Sequence, residues 1–365
     1  MRKVLPFLWT VFFVVGSILS VQAQKYSNEF LNIGISARAQ AMGNAVIAST
    51  SDVTASYWNP AGLAAIPAED GLQVGAMHAE WFAGIGKYDY LGFAIPFANG
   101  KRRLGLSVIR FGIDGIPNTL SLFDDEGNVN YDNIVEFSAA DYAVLAGIGQ
   151  QTSFLGGKLA LGGNLKIVHR IIGSFANSWG FGLDLGARLE LGAWKFGLVG
   201  RDISSTFNAW TVNFTEEEKT VLLNTGNELP AINSLEVTRP QVLLGASYLF
   251  EKGKVSLQPE VSLHVTTDGQ RNTLVSGDPF SIDPSAGIEV GYNDFVFIRT
   301  GINQFQEEQS FAKGSYWSSR PSIGVGLKLG MFTVDYAYTD LGDSQNRYSH
   351  VISLLVNLKP KGSGQ

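Results

Sequence analysis

The side chains best suited to acid–base or metal chemistry in this chain are four histidines, His78, His169, His264 and His350, and a set of charged residues inside otherwise apolar segments. Histidine would serve as a proton shuttle or a metal ligand near neutral pH. These four are scattered along the sequence and show no ligand spacing. Cysteine is absent, which excludes a thiol nucleophile, a thiolate zinc site and a disulfide framework. There is no Gly-x-Ser-x-Gly elbow and no phosphate-binding loop. The charged set is Lys166, Asp184, Arg188, Glu260, Glu289, Arg299 and Lys328, with His264 among them. A ring of one sign would suit an ion-selective pore. Mixed signs point instead to charges that pair with one another and hold a structure together. The expectation is a protein without catalysis, cofactor or bound metal, the enzymatic alternative being a hydrolase site assembled from distant strands.

The elements that carry these charges alternate with a period of two. In "WGFGLDLGARL", Trp179, Phe181, Leu183, Leu185, Ala187 and Leu189 fall on one side, with Gly180, Gly182, Asp184, Gly186 and Arg188 on the other. "KVSLQPEVSLHV" and "SIGVGLKL" repeat the pattern and place Glu260, His264 and Lys328 on the small or polar face. One apolar and one polar face is the signature of a strand in a two-faced sheet. Fourteen such segments can be traced, near 71–81, 87–97, 101–112, 138–150, 155–171, 178–190, 193–204, 240–250, 254–267, 283–293, 295–305, 320–330, 331–340 and 348–358. About ten residues is the length a tilted strand needs to cross hydrocarbon, whereas ordinary strands run to five or six.

The connections alternate too. Ala98-Asn99-Gly100, Glu251-Lys252-Gly253 and Asn293-Asp294 read as tight turns. The stretches 113–137, 205–239, 268–282 and 306–319 read as long loops. Short turns on one side and long loops on the other is the outer-membrane pattern. An even strand number puts both ends of the chain on the short-turn side, the periplasm. Aromatic residues crowd the strand ends, Trp81, Phe82, Tyr88 and Tyr90 early and Tyr292, Phe295, Tyr336, Tyr338 and Tyr348 late, as interfacial girdles require. The predicted fold is all-β: a transmembrane antiparallel up-and-down barrel of about fourteen strands spanning 71–358, followed by a periplasmic tail, 359–365.

The N-terminus, "MRKVLPFLWTVFFVVGSILSVQAQ", has two positive residues, an apolar run and a small-residue site at Val21-Gln22-Ala23. It reads as a cleaved signal peptide over 1–23, with a retained membrane anchor as the alternative. Cleavage takes the net charge from −6 to −8 by removing Arg2 and Lys3. That balance argues against a nucleic-acid partner. The compartment implied is the outer membrane of a Gram-negative bacterium, with outer-membrane lipid around the barrel.

Between signal and barrel, residues 24–70 are rich in Ala, Ser and Gly and too weakly alternating for a spanning strand. Helical stretches are predicted near Ala37–Met42 and around Val53–Trp58. Asn59 should end the second, because the residue before Pro60 is driven out of helix, and its side chain can fix a turn. The stretch "SARAQAMGNAVIASTSDVTASYWNPAGLA" resembles the N-terminal signature of the PorV/PorQ family of type IX secretion components. That family is similar in turn to the FadL-type outer-membrane transporters of hydrophobic compounds. Softer likenesses lie in "SNEFLNIG", "MHAEWFAGIGKYDY", "FNAW", "SIDPSAGIEVGYN" and "VDYAYTDLGD".

The resemblance implies a hatch inside the barrel, with Asn59, Pro60, Ala61 and Gly62 as its turn. It implies as partners a type IX translocon barrel and secreted proteins with C-terminal sorting domains. The contacting loops would be 113–137 and 205–239. In the second, Phe207, Trp210, Phe214, Glu216, Glu217 and Glu218 surround a short helix capped by Thr215 and Glu218 and stopped at Gly226. The alternative function is transport of a small hydrophobic molecule. The Gly-rich strands 178–190 and 320–330 would then kink to open a gap in the wall.

Overall fold

The computed structural model describes residues 27–81, 84–98, 101–122, 128–229, 231–310, 314–340 and 348–359. The expected signal peptide, and the tail beyond Lys359, lie outside them. Seventeen β segments pair into one sheet. Three of these continue a wall strand after a break, so the wall has fourteen strands. They are β1 (Leu72–Trp81), β2 (Gly86–Phe97), β3 (Arg102–Asn118), β4 (Val135–Phe154), β5 (Gly157–Ile172) and β6 (Ala176–Leu191). Next come β7 (Trp194–Arg201, resuming at Thr206–Val212) and β8 (Asn233–Thr238, resuming at Gln241–Tyr248 and Phe250–Lys252). The rest are β9 (Val255–Thr266), β10 (Ser281–Tyr292), β11 (Val296–Ser310), β12 (Gly314–Leu329), β13 (Phe332–Asp340) and β14 (Tyr348–Leu358). All neighbours are antiparallel, and β1 pairs with β14 from Leu72↔Leu358 to Glu80↔His350, closing the barrel.

Burial is inverted relative to a water-soluble domain. Leu185, Ile298 and Ile352 face outward at 56%, 56% and 55% exposure, while Lys166, Glu260 and Arg299 are buried inside. Only an apolar surrounding makes such a wall stable, because the outward Leu, Ile, Val and Phe side chains then leave water as they would in a core. Strand ends nearest the chain termini are joined by tight turns at 155–156, 192–193, 253–254, 293–295 and 330–331. Asn293 and Asp294 both have positive φ, 56° and 50°, as a two-residue hairpin turn demands.

The far side, which we call the outer side, carries the longer connections 119–134, 213–232 and 267–280. Strands run further there than the sequence suggests. Most of the stretch 306–319, expected as a loop, is a ladder that continues from Gln306↔Ser318 to Ser310↔Gly314. Alternation stops being apolar once strands rise above the membrane, so this projecting hairpin was read as loop.

The aromatic girdle is partly where it was expected. Tyr292 and Phe295 are outward at the tight-turn rim, joined there by Trp194 and Phe332. Trp81, Tyr88 and Tyr90 instead point inward and are buried, and Tyr90 Oη donates to the Val53 carbonyl at 3.1 Å. The register of β1 and β2 places His78, Lys87 and Asp89 on the outer face. Either face of these two strands carries large residues, so composition alone mis-sorts them. Phe82 and the Tyr348 side chain lie outside the described residues.

Residues 27–70 fill the lumen. They form 3₁₀ turns at Glu29–Asn32, Pro60–Ala65 and Ala68–Asp70 and two short helices, α1 (Ala37–Ala41) and α2 (Ala55–Trp58). The first described residues lie at the outer end, where the Asn28 amide donates to Thr238 Oγ1 at 2.9 Å. The chain descends to Pro67 and Gly71, whose carbonyls accept from Arg103, and enters β1 at the tight-turn side. Phe30, Ile35, Met42, Ile47 and Trp58 make the centre of the buried cluster together with inward Tyr88, Ile109 and Val199.

Candidate functional site

Asn59 is fully buried and its side chain satisfies three backbone groups. Oδ1 accepts from Ala61 N at 3.1 Å, which fixes the turn. Nδ2 donates to the Ile47 carbonyl within the hatch and to the Ala187 carbonyl on β6, each at 3.1 Å. The backbone at Asn59 is extended (φ −157°, ψ 104°), ending α2, and Pro60 opens the next 3₁₀ turn, where its missing N–H is not needed. Ala61 and Gly62 are buried behind it. A Cβ on Gly62 would lie 2.4 Å from the Thr50 carbonyl oxygen.

The inward glycines of the wall are the other half of this interface. A Cβ on Gly301 would stand 2.1 Å from the Met42 carbonyl carbon, and one on Gly287 2.4 Å from the Met42 oxygen. Gly197 is as close to the Ile47 carbonyl and Gly162 to the Pro60 carbonyl. The hatch therefore lies backbone to backbone against the wall. The room that the glycines leave is taken by the hatch at this depth.

The charges predicted for the lumen fall into three groups. Glu289 binds Arg38 of α1 at 2.9 Å and Arg299 at 2.6 Å, and Arg299 reaches Asp335 at 2.6 Å. Glu260 accepts from Ala48 N and Ser49 N of the hatch at 2.7 and 3.1 Å, while Arg188 Nε donates to the Ala48 carbonyl at 2.8 Å. Lys166 sits between Asp184 at 3.0 Å and Asp202 at 2.5 Å. The first and third are buried ion pairs, where loss of one partner strands a charge; in the second, Glu260 and Arg188 bind hatch backbone, and Arg188 also pairs with Glu190 at 2.7 Å. Lys328 belongs to none of them. At the tight-turn rim it is half-exposed and pairs with Asp294 at 2.6 Å, because the last inward position of β12 already faces water. Arg38, Asp202 and Asp335 completed the networks unforeseen. Arg38 is the only basic residue within the quoted hatch stretch, which was a usable signal.

The histidines lie apart. His78 pairs with Asp89 on the outer face, His169 stacks on Trp179 at 4.0 Å, His264 bonds Gln241 and His350 bonds Tyr336.

The outer mouth differs in kind. A cavity of about 1280 Å³ opens above the start of the hatch. Phe137, Phe175, Trp210, Val212 and Phe214 line it, with Leu222 reaching in from helix α3 (Glu216–Asn224). Phe137 and Phe175 meet edge to face at 5.1 Å, and Phe175 lies 5.5 Å from Phe214. The helix has the capping box predicted for it, Glu218 N to Thr215 Oγ1 at 3.2 Å and Thr215 N to Glu218 Oε2 at 2.8 Å. Gly226 follows its end at φ 78°. Glu216, Glu217 and Glu218 are on its first turn, and Glu216 pairs with Lys219 at 2.7 Å.

The expected docking loop 205–239 is only half a loop. Thr206–Val212 and Asn233–Thr238 are wall, paired with each other and, through β7, with β6. Their register turns Phe207 outward and sends Trp210 into the cavity, with the Arg170 guanidinium 5.1 Å from its ring centre. The free connection is 213–232.

The wall is interrupted beside this cavity. Strands 178–190 and 320–330 run through without a kink, contrary to expectation. The break falls on the neighbouring strand β7, at Asp202–Ser205, where Asp202 and Ser205 adopt φ 53° and 56°. Asp202 is held there by Lys166, by Thr206 Oγ1 and by its own N–H donating to Asp184 at 2.8 Å. A side-chain anchor, rather than glycine, makes the turn, which is why glycine content pointed to the wrong strand. On β8 the break is Arg239–Pro240, and Pro has no N–H to give a ladder. Beyond it, Asn233–Thr238 has no ladder partner on its second edge among the described residues.

Comparison with solved structures places this architecture. The monoaromatic hydrocarbon channel CymD superposes with a TM-score of 0.56 at 13% identity, covering 92% of this chain and all of CymD (100%). The Pseudomonas putida toluene transporter TodX gives 0.52 at 14% identity, covering 92% of this chain and 100% of TodX. No family model matches the sequence, and no curated protein is significantly similar to it. The shared property is the fold, a closed antiparallel barrel of fourteen strands.

Proposed function

We propose that this barrel resides in the outer membrane and admits small hydrophobic molecules from the outer side. The observation that carries the reading is the aromatic cavity of about 1280 Å³ set directly on a hatch that closes the lumen. A water-filled pore would want polar walls, whereas a concave apolar site with a few polar groups is how proteins hold apolar ligands. The wall break and the unpaired edge of β8 lie against the cavity through Ser205, Arg239 and Pro240, which offers a ligand a sideways route around the hatch. CymD and TodX, the two fold relatives, are described as a hydrocarbon channel and a toluene transporter, in keeping with this reading. The test is uptake of radiolabelled hydrophobic compounds by cells with and without the gene. Equal uptake across a panel of alkanes, monoaromatics and fatty acids would sink the proposal.

A second reading is a role in type IX secretion, receiving cargo with C-terminal sorting domains or docking on the translocon barrel. It is supported by the PorV/PorQ-like hatch sequence and by a separately capped helix with Leu223 exposed on the outer side. Deleting only 213–232 leaves the wall strands intact. Cargo release should then fail while the barrel stays folded; normal secretion by that deletion argues against the secretion role.

A further inference from the structure

Trp210 in the lining of the outer cavity, and two inward neighbours behind that lining, carry polar atoms that the protein itself does not use. The Trp210 indole Nε1–H is buried without a hydrogen-bond partner among the described residues. Directly across the ladder stands Ser178, completely buried, whose Oγ is also without a partner. The next inward residue below Trp210 is Asn208. It donates its amide N–H groups to Ser27 and Asn28 and leaves Oδ1 unbonded. Native folds seldom leave buried polar atoms bare, and three at adjoining positions call for an occupant.

The charged groups around them are already matched. Arg170 binds Asp141 through Nε at 2.7 Å and Nη2 at 3.4 Å, and Glu236 through Nη1 at 3.3 Å. Glu236 also accepts from Ser27 Oγ at 3.2 Å, and Arg239 donates to the Thr267 carbonyl at 3.3 Å. A carboxylate entering this cavity would have to displace an existing partner or lie unpaired in an apolar site. A neutral oxygen carries no such penalty and meets an unused donor.

Resting on the reading of the barrel as a path for hydrophobic molecules, we propose that the cavity selects an uncharged hydrophobic molecule bearing an oxygen acceptor, such as an ester or ketone. It discriminates against hydrophobic carboxylates. The Trp210 N–H donates to the ligand oxygen, and Phe137, Phe175 and Phe214 take the hydrocarbon.

The test uses the full-length barrel in nanodiscs and three probes of similar size: methyl 1-naphthoate, 1-naphthoate and 1-ethylnaphthalene. Equilibrium dialysis against empty nanodiscs removes the lipid contribution. The ester should bind about five- to tenfold tighter than the hydrocarbon, the scale of one added hydrogen bond, and the carboxylate weakest. Trp210→Phe keeps a ring in place and should erase the ester's advantage with hydrocarbon binding unchanged. The inference is overturned if wild-type barrel binds ester and hydrocarbon equally, if the carboxylate binds tightest, or if the preference survives Trp210→Phe. Absence of binding by all three probes would overturn the transport reading itself. The wild-type ranking does not depend on any variant folding.

Discussion

Below the level of Trp58, the hatch backbone lies on wall glycines, and Glu260, Glu289, Arg188 and Arg299 are all bonded. Above it, Phe137, Phe175 and Phe214 border open space, and neighbouring polar atoms have no partner among the described residues. The same fourteen strands supply both halves. Small and hydrogen-bonding residues facing inward build a seal; bulky aromatic residues further along the same strands build a receptacle. The lower half should thus be intolerant of added volume and the upper half tolerant of lost volume.

The sharpest way to break this contrast is Gly301→Val, whose branched side chain would be driven into the Met42 backbone. Since backbone cannot step aside as a flexible side chain can, we expect a loss of about 3 kcal/mol or more, read as failure to form the heat-modifiable barrel on a gel. A fully stable variant would mean that the hatch is not seated as described. Next comes Glu260→Ala, which unbinds Ala48 N and Ser49 N beside Arg188. Removing one member of a buried charge set typically costs about 3 kcal/mol, measured here as a lowered urea midpoint of the reconstituted barrel. Asn59→Ala strips three hydrogen bonds from the hatch turn, and about 2 kcal/mol should be lost in the same assay.

At the mouth the expectation reverses. Phe175→Ala should shift the urea midpoint little, because its ring borders a cavity, yet should lower probe retention several-fold. A large destabilisation there would show the cavity to be core. The smallest effect is Thr215→Ala. Loss of the cap should cost α3 about 1 kcal/mol, visible as faster amide exchange over 216–224 with the barrel's own melting unchanged.

Much of this contrast could be read from the chain. Alternation located all fourteen strands; the hatch was implied only by the family resemblance of the stretch 36–64, and the end of its second helix by the proline after Asn59. The capping box of α3 was legible because it is local. The cavity was not, since Phe137, Phe175 and Trp210 come from different strands and only barrel closure brings them together. Trp81, Tyr88 and Tyr90 were assigned to the membrane interface because either face of β1 and β2 is bulky; burial against the hatch decides the matter, and no local pattern encodes it. The wall break escaped notice because Asp202, held by a lysine thirty-six positions earlier, does what a glycine was expected to do.

The hatch enters the lumen from one end and begins at the other, with Ala37 bonded to Ser353 on the last strand. A segment fastened on all sides cannot be threaded through a wall that has already closed. We expect the plug to collapse while β1 and β14 are still apart, with the seam from Leu72↔Leu358 to Glu80↔His350 closing last. That last event joins the most distant parts of the chain, the kind of contact that makes folding slow. Without residues 27–66 the barrel should close sooner, measurable as earlier heat-modifiability during refolding into vesicles. Refolding that proceeds at the same rate with and without the segment would show that the vessel does not wait for its stopper before closing.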